Sequence, residues 1–187
     1  MAFDLDGTLR RLKPEKRSGS FRRRKDASLP FVTEDTPATP LLLDTTVYID
    51  RLNDRLPGVV TRLLEKSTVN HSSVAMAELA HPFGRLDANH PNTAETLQVI
   101  RAAFALIPPH RIGTPSAQAA IEAGIVTGII ARRTNLPKED RQPMLNDATL
   151  LLHALETGAA LLTRNISDLD LIQQIVPAGR VLFYREI

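Results

Sequence analysis

The chain has 187 residues, with 23 Lys plus Arg against 21 Asp plus Glu and 43% hydrophobic residues, which allows one ordinary domain with chain to spare and excludes a wholly disordered polymer. With 4% aromatics and no Trp, the core must be built from Leu, Ile, Val and Ala. The absence of cysteine removes a disulfide framework, a thiolate zinc site and a cysteine nucleophile together, and fits a reducing cytoplasm. No apolar stretch approaches the ~18 residues of a membrane span and no secretory signal is seen, so a cytoplasmic protein without membrane association is expected.

The net charge of +2 and the isoelectric point near 9.2 belong to one end of the chain. Residues 1–37 hold 9 Lys/Arg and 6 Asp/Glu, which leaves 14 basic and 15 acidic residues in 38–187. Residues 10–25 contain nine basic side chains, one acid and almost no apolar periodicity, a composition that does not repay its ordering entropy. A basic, disordered extension is expected over 1–39, and a folded domain over 40–187.

From Leu41 the pattern changes to LLLD, a short apolar run ending on an acid, as in a buried strand of a parallel sheet. Helical segments are expected over 46–53 and 58–66, interrupted by Pro57-Gly58, and VNHSSVAMAELA gives a short strand or turn running into a helix near 73–80. Asn92 is placed to cap a helix over 93–106, where Leu97, Ile100, Ala103, Phe104 and Ile107 recur at helical spacing before Pro108-Pro109 stops it. A helix over 115–132 with Pro115 in its first turn precedes the polar loop TNLPKEDRQP. Asn146 or Asp147 then opens a helix ending at Gly158, AALLT reads as a strand, NISDLDLIQQI as a turn and short helix, and VLFY as a last strand. Strands alternating with helices predict an α/β fold with a largely parallel central sheet and helices on both faces.

Ligand sites of open parallel sheets form at the carboxyl ends of the strands, where Asp44 stands directly after LLL. Taken alone, Asp44 is better read as a helix cap. Glu78, within AMAELA, reads alone as an exposed helix position, and Asp147, in LNDATLLLHAL, as a cap or a helix-dipole contact. Asn165, Asp168 and Asp170 follow the strand ALLT, where turn chemistry accounts for them equally well. Thr46 and Thr163 read first as packing or local backbone partners, with orientation of an acid or a phosphate as the second role.

The set DTTVYID, SSVAMAEL and LNDATLLLHALETGAALLTRN..DL, in that order and on matching elements, resembles the PIN-domain family, most closely the VapC-type ribonuclease toxins of type II toxin–antitoxin pairs. The resemblance spans about 40–187. It implies a PIN-like three-layer α/β/α fold and makes Asp44, Glu78 and Asp147 the first three metal-binding acids. For the fourth position it leaves Asn165 and Asp168, with Asp170 nearby. It further implies a metal-dependent endoribonuclease, an RNA substrate, a cognate antitoxin and a homodimer. Carboxylates without Cys suit Mg²⁺ or Mn²⁺, which acidify a bound water for attack at phosphorus and let several acids ionise side by side. The basic extension then has two open uses, salt-sensitive attraction of RNA phosphates or none.

Two other patterns carry less. FDLDGTL at residues 3–9 resembles the first motif of haloacid dehalogenase-type phosphatases, in which Asp4 would be the nucleophile and Asp6 the acid/base. No strand-length run precedes it, an arginine-rich segment follows, and no downstream lysine and paired acids are found, so it stands as a minor alternative. The five histidines show no zinc-ligand spacing, and His153 is expected to pack or face solvent. The alternative of a different class is a non-catalytic PIN-like module that binds RNA or protein.

Overall fold

The computed structural model describes residues 4–19, 21–87 and 89–187. In place of a disordered extension, the described part of 4–39 is folded onto the body. Asp4 accepts a bond from the Gly7 amide at 2.8 Å and so caps helix α1 (Leu5–Leu12), which Lys13 ends in the left-handed conformation. Thr8, Leu12, Leu29, Val32 and Thr36 are buried. The charges are ordered because they have partners. Arg11 grips the buried Glu122 with both guanidinium arms at 2.5 and 2.6 Å, and Arg24 binds the buried Asp170 through its amide and Nε at 2.7 and 2.6 Å. In return Arg132 and Arg133 donate to the carbonyls of Pro14, Arg17, Ser18 and Gly19. Residues 1–3 and 20 of the expected extension lie outside the described residues. The phosphatase-like motif therefore lies on a helix, with Asp4 as its cap and Asp6 in its first turn, and not at the end of a strand.

The body follows the predicted alternation. Strand β1 (Leu41–Leu43) leads into α2 (Thr45–Leu52) and α3 (Gly58–Lys66), and β2 (Val69–Ser72) into α4 (Ser73–Ala80), α5 (Pro82–Arg85) and α6 (Thr93–Ala105). Strand β3 (Ile112–Gly113) precedes α7 (Ala117–Thr134) and α8 (Arg141–Glu156); β4 (Ala160–Thr163), α9 (Ile166–Ile175) and β5 (Arg180–Phe183) complete the fold. The sheet order is β3-β2-β1-β4-β5, with every pairing parallel. Central β1 and β4 are buried along their whole length, which is why they read as unbroken apolar runs. At the open edge beyond β5, Phe31 forms a parallel bridge to Phe183. Among the described residues no helix is long and apolar enough to cross a membrane.

Three local expectations change. Helix α8 begins at Arg141, six residues before Asp147, because Pro143 falls in its first turn, where the missing amide costs nothing. Helix α7 is capped by Ser116, whose hydroxyl accepts from the Ala119 amide, and Pro115 lies just outside it. Asn92 occupies the position before α6 without a side-chain cap.

Candidate metal centre

The strand order reverses between β1 and β4, since β2 and β3 lie to one side and β5 to the other. The carboxyl ends of the two strands diverge there into α2 and α9, and such a switch point opens a crevice. Asp44 leaves β1 at this place and Thr163 ends β4. Asp44 precedes α2 but makes no side-chain cap bond. Its Oδ2 instead accepts the hydroxyls of Thr46 at 2.7 Å and Thr163 at 2.6 Å, so both threonines take the orienting role. The remaining bonds of these hydroxyls fix the backbone of the crevice: Thr163 Oγ1 accepts the Asn165 amide at 2.8 Å, and Thr46 Oγ1 the Arg164 amide at 3.2 Å.

Glu78 enters from α4, held by Thr45 Oγ1 at 2.5 Å and by Asn146 Nδ2 at 2.6 Å. Asp147 lies within α8, well past its first residue, so neither capping nor the helix dipole explains its burial. Its Oδ2 accepts from Asn165 Nδ2 at 2.8 Å, and the same amide reaches Asp168 Oδ2 at 3.1 Å. Asn165 caps α9 through the Asp168 amide. Asn165 and Asp168 thus join the three acids, whereas Asp170 faces the other way into its ion pair with Arg24. His153 packs as expected, with Nδ1 3.0 Å from Ser72 Oγ.

The electrostatics are one-sided. Burial, then the charges of Asp44, Asp168 and Glu78, push the Asp147 carboxyl well above the usual range. Burial also raises Asp44, against the bonds from Thr163 and Thr46. Among the described residues no Lys, Arg or His forms an ion pair with Asp44, Glu78, Asp147 or Asp168. Buried carboxylates without a counter-ion are costly to ionise, and a divalent cation removes that cost. Among the described residues no three His, Asp or Glu side chains form a ready-made cage. The donors of the crevice are oxygens, the type that Mg²⁺ and Mn²⁺ take in preference to the thiolates and imidazoles of zinc sites. Asp44, Glu78, Asp147 and Asp168 are the residues that would hold such an ion, beside Asn165, whose Nδ2 faces Asp147 and Asp168 while its Oδ1 accepts the Asp168 amide.

Sequence reasoning missed the frame around these acids. Asp50 on α2 is fully buried and accepts from Arg164 Nε at 2.7 Å and the Tyr184 hydroxyl at 2.8 Å, which ties α2 to the start of α9 and to the chain end. Burial and Asp50 push the Tyr184 hydroxyl far up, so it remains a donor. Thr45 and Asn146 are direct neighbours of candidate ligands in sequence, and that adjacency was the one available signal.

No family model and no curated protein sequence matches the chain. Solved structures do resemble it. VapBC2 from Rickettsia felis bound to a promoter DNA fragment superposes with a TM-score of 0.54 at 17% identity, over 78% of this chain and 98% of that one. DNA-bound VapBC from Salmonella typhimurium gives 0.53 at 20%, over 76% and 96%. VapBC-1 from nontypeable Haemophilus influenzae gives 0.51 at 20%, over 77% and 97%. With its five-stranded parallel sheet and flanking helices, the chain shares the fold of the matched chains of these VapBC complexes.

Proposed function

We propose that this chain is a metal-dependent endoribonuclease that hydrolyses RNA phosphodiester bonds as the toxin of a toxin–antitoxin pair. The observation that carries the reading is the gathering of Asp44, Glu78, Asp147 and Asp168, from four separate elements, at the switch point of the sheet with no cationic partner among the described residues. When bound, Mg²⁺ or Mn²⁺ supplies charge neutralisation at the phosphate and acidifies water for attack at phosphorus. Asp44, clamped by two threonines, and Glu78, clamped by Thr45 and Asn146, provide oriented carboxylates. Asn165 bridges Asp147 and Asp168 through one amide.

The likeness to VapBC complexes supports an antitoxin as partner. The partly exposed Phe83, Leu86 and Val99 and the largely exposed Leu106 offer apolar surface for such contacts. The test is cleavage of RNA with Mg²⁺ or Mn²⁺ by the antitoxin-free protein. Turnover that survives both Asp44→Asn and Asp147→Asn sinks the mechanism. The lack of a ready-made three-carboxylate cage among the described residues favours a second reading, a module that binds RNA or protein without cutting. That reading predicts no metal-dependent turnover from intact protein.

A further inference from the structure

Thr46 and Asn165 have a second side. Away from the acids they border an open cavity of about 490 Å³ whose other walls include Arg23, Arg164, Arg185 and Ser167. The three guanidinium groups come from three distant segments: the folded N-terminal segment, the residue after β4 and the chain end after β5. Their counter-charges do not use them up. Arg23 and Arg185 both lean on one carboxylate, Asp26, which sits at the surface, while Arg164 spends Nε on Asp50 and reaches Glu186 with Nη1 at 3.3 Å. The start of α9 forms part of the wall. The Ile166 amide is bound to the Arg164 carbonyl at 2.8 Å, while the Ser167 amide, second in the helix, has no intrahelical acceptor.

A cationic cavity touching an anionic centre through two shared residues is the pattern expected where a polyanion passes over a metal. A bound metal would neutralise the reacting phosphate, and fixed cations would hold a phosphate beside it. Arginine forks match phosphate oxygens in pairs, and the volume lies within the ~300–1,000 Å³ of ordinary ligand pockets. We propose that this cavity binds a backbone phosphate of single-stranded RNA adjacent to the phosphodiester at the acid centre, with Arg23 and Arg185 as its cationic walls. The assignment rests on the nuclease reading for the identity of the strand. It gives the N-terminal basic run a specific use: Arg23 lines the substrate path, while Arg11 and Arg24 are spent on buried acids.

The test uses full-length protein in EDTA, where metal-dependent cleavage is off, and measures binding of a labelled single-stranded RNA oligonucleotide as salt is varied. The double variant Arg23→Gln/Arg185→Gln is expected to bind about 5-fold or more weakly, with a log–log salt slope smaller by about 0.7, the value of one single-strand phosphate contact. Arg23→Lys/Arg185→Lys should keep the slope and lose only part of the affinity, and it supplies the comparison if the neutral pair fails to fold. Unchanged affinity and slope in a neutral pair that melts like the parent overturn the proposal. So does a lysine pair that folds and binds with a changed slope. Inorganic phosphate that binds as tightly as the oligonucleotide makes this a free-phosphate site and overturns the RNA assignment. Metal-dependent RNA cleavage with binding indifferent to both arginines refutes the cavity and leaves the nuclease. Arginine-dependent binding without cleavage keeps the cavity and removes the nuclease.

Discussion

Replacing Arg24 by alanine tests whether the basic N-terminal segment is structural. Asp170 is fully buried and has three donors: the Arg24 amide at 2.7 Å, Arg24 Nε at 2.6 Å and Gln174 Nε2 at 2.9 Å. The arginine also donates Nη2 to Gln173 Oε1 at 2.5 Å. Alanine removes both side-chain bonds and leaves a buried carboxylate with two neutral donors and no counter-charge. Breaking a buried pair costs about 3–5 kcal/mol. Here the Arg24 side chain is 38% exposed and two donors survive, so a loss of about 2–3 kcal/mol is expected. The double variant Arg24→Ala/Asp170→Asn should regain at least about 1 kcal/mol relative to the sum of the single losses, the signature of two groups in contact. Deleting residues 1–37 removes in addition the Arg11 clamp on Glu122 and the buried Leu12, Leu29 and Val32. At about 1.5–3 kcal/mol for each apolar side chain, the total rivals the ~5–15 kcal/mol stability of a domain. Urea unfolding followed by circular dichroism measures both. An Arg24→Ala midpoint equal to the parent's, or a deletion that unfolds at the same urea concentration, refutes the reasoning.

The raised carboxyl of Asp147 sets a pH dependence for the metal-free protein. The folded chain holds this proton more tightly than the unfolded chain, whose carboxyl titrates near 3.9, so the contribution is most favourable below that pH and is lost as pH rises through the raised folded value. In EDTA, Asp147→Asn should therefore be more stable than the parent at pH 7, with the gap closing toward pH 4; a gap that widens on acidification contradicts it. Thr163→Val removes a 2.6 Å bond to the buried Asp44, and a loss of about 1.5–3 kcal/mol on Mg²⁺ binding or turnover, roughly 10- to 150-fold, is expected; titration calorimetry with an unchanged dissociation constant would contradict it. Tyr184→Phe deprives the fully buried Asp50 of its 2.8 Å hydroxyl bond and should lower stability by about 1–3 kcal/mol in urea unfolding. Asp4→Asn should leave any phosphate monoesterase signal at background, because Asp4 caps a helix; an Asp4-dependent signal would restore the phosphatase alternative.

Much of the candidate site was legible because its residues sit beside strong local signals. Asp44 ends an unbroken leucine run, Glu78 and Asp147 lie in apolar helical stretches, and Asn165 and Asp168 follow the last buried run before β5. The bland explanations for the acids failed for a spatial reason. Asp44 turns its Oδ2 to Thr46 and Thr163, the latter 119 residues away, and Asp147 is inside α8 and not at its start. The start of α8 was misplaced because a proline reads as a breaker until its position in the first turn is known.

Sequence by itself determined the alternation of strands and helices, and with it a parallel sheet whose carboxyl ends carry acids, since burial on both faces leaves an unmistakable apolar run. It also located the excess positive charge at one end. Only the tertiary structure decided what that charge does. The partners of Arg11 and Arg24 lie 111 and 146 residues further along the chain, and neither Glu122 nor Asp170 carries a local sign of its arginine. A charge run is disordered when water is its best solvent and folded when buried carboxylates of the body outbid water; that comparison exists only once the two ends have met.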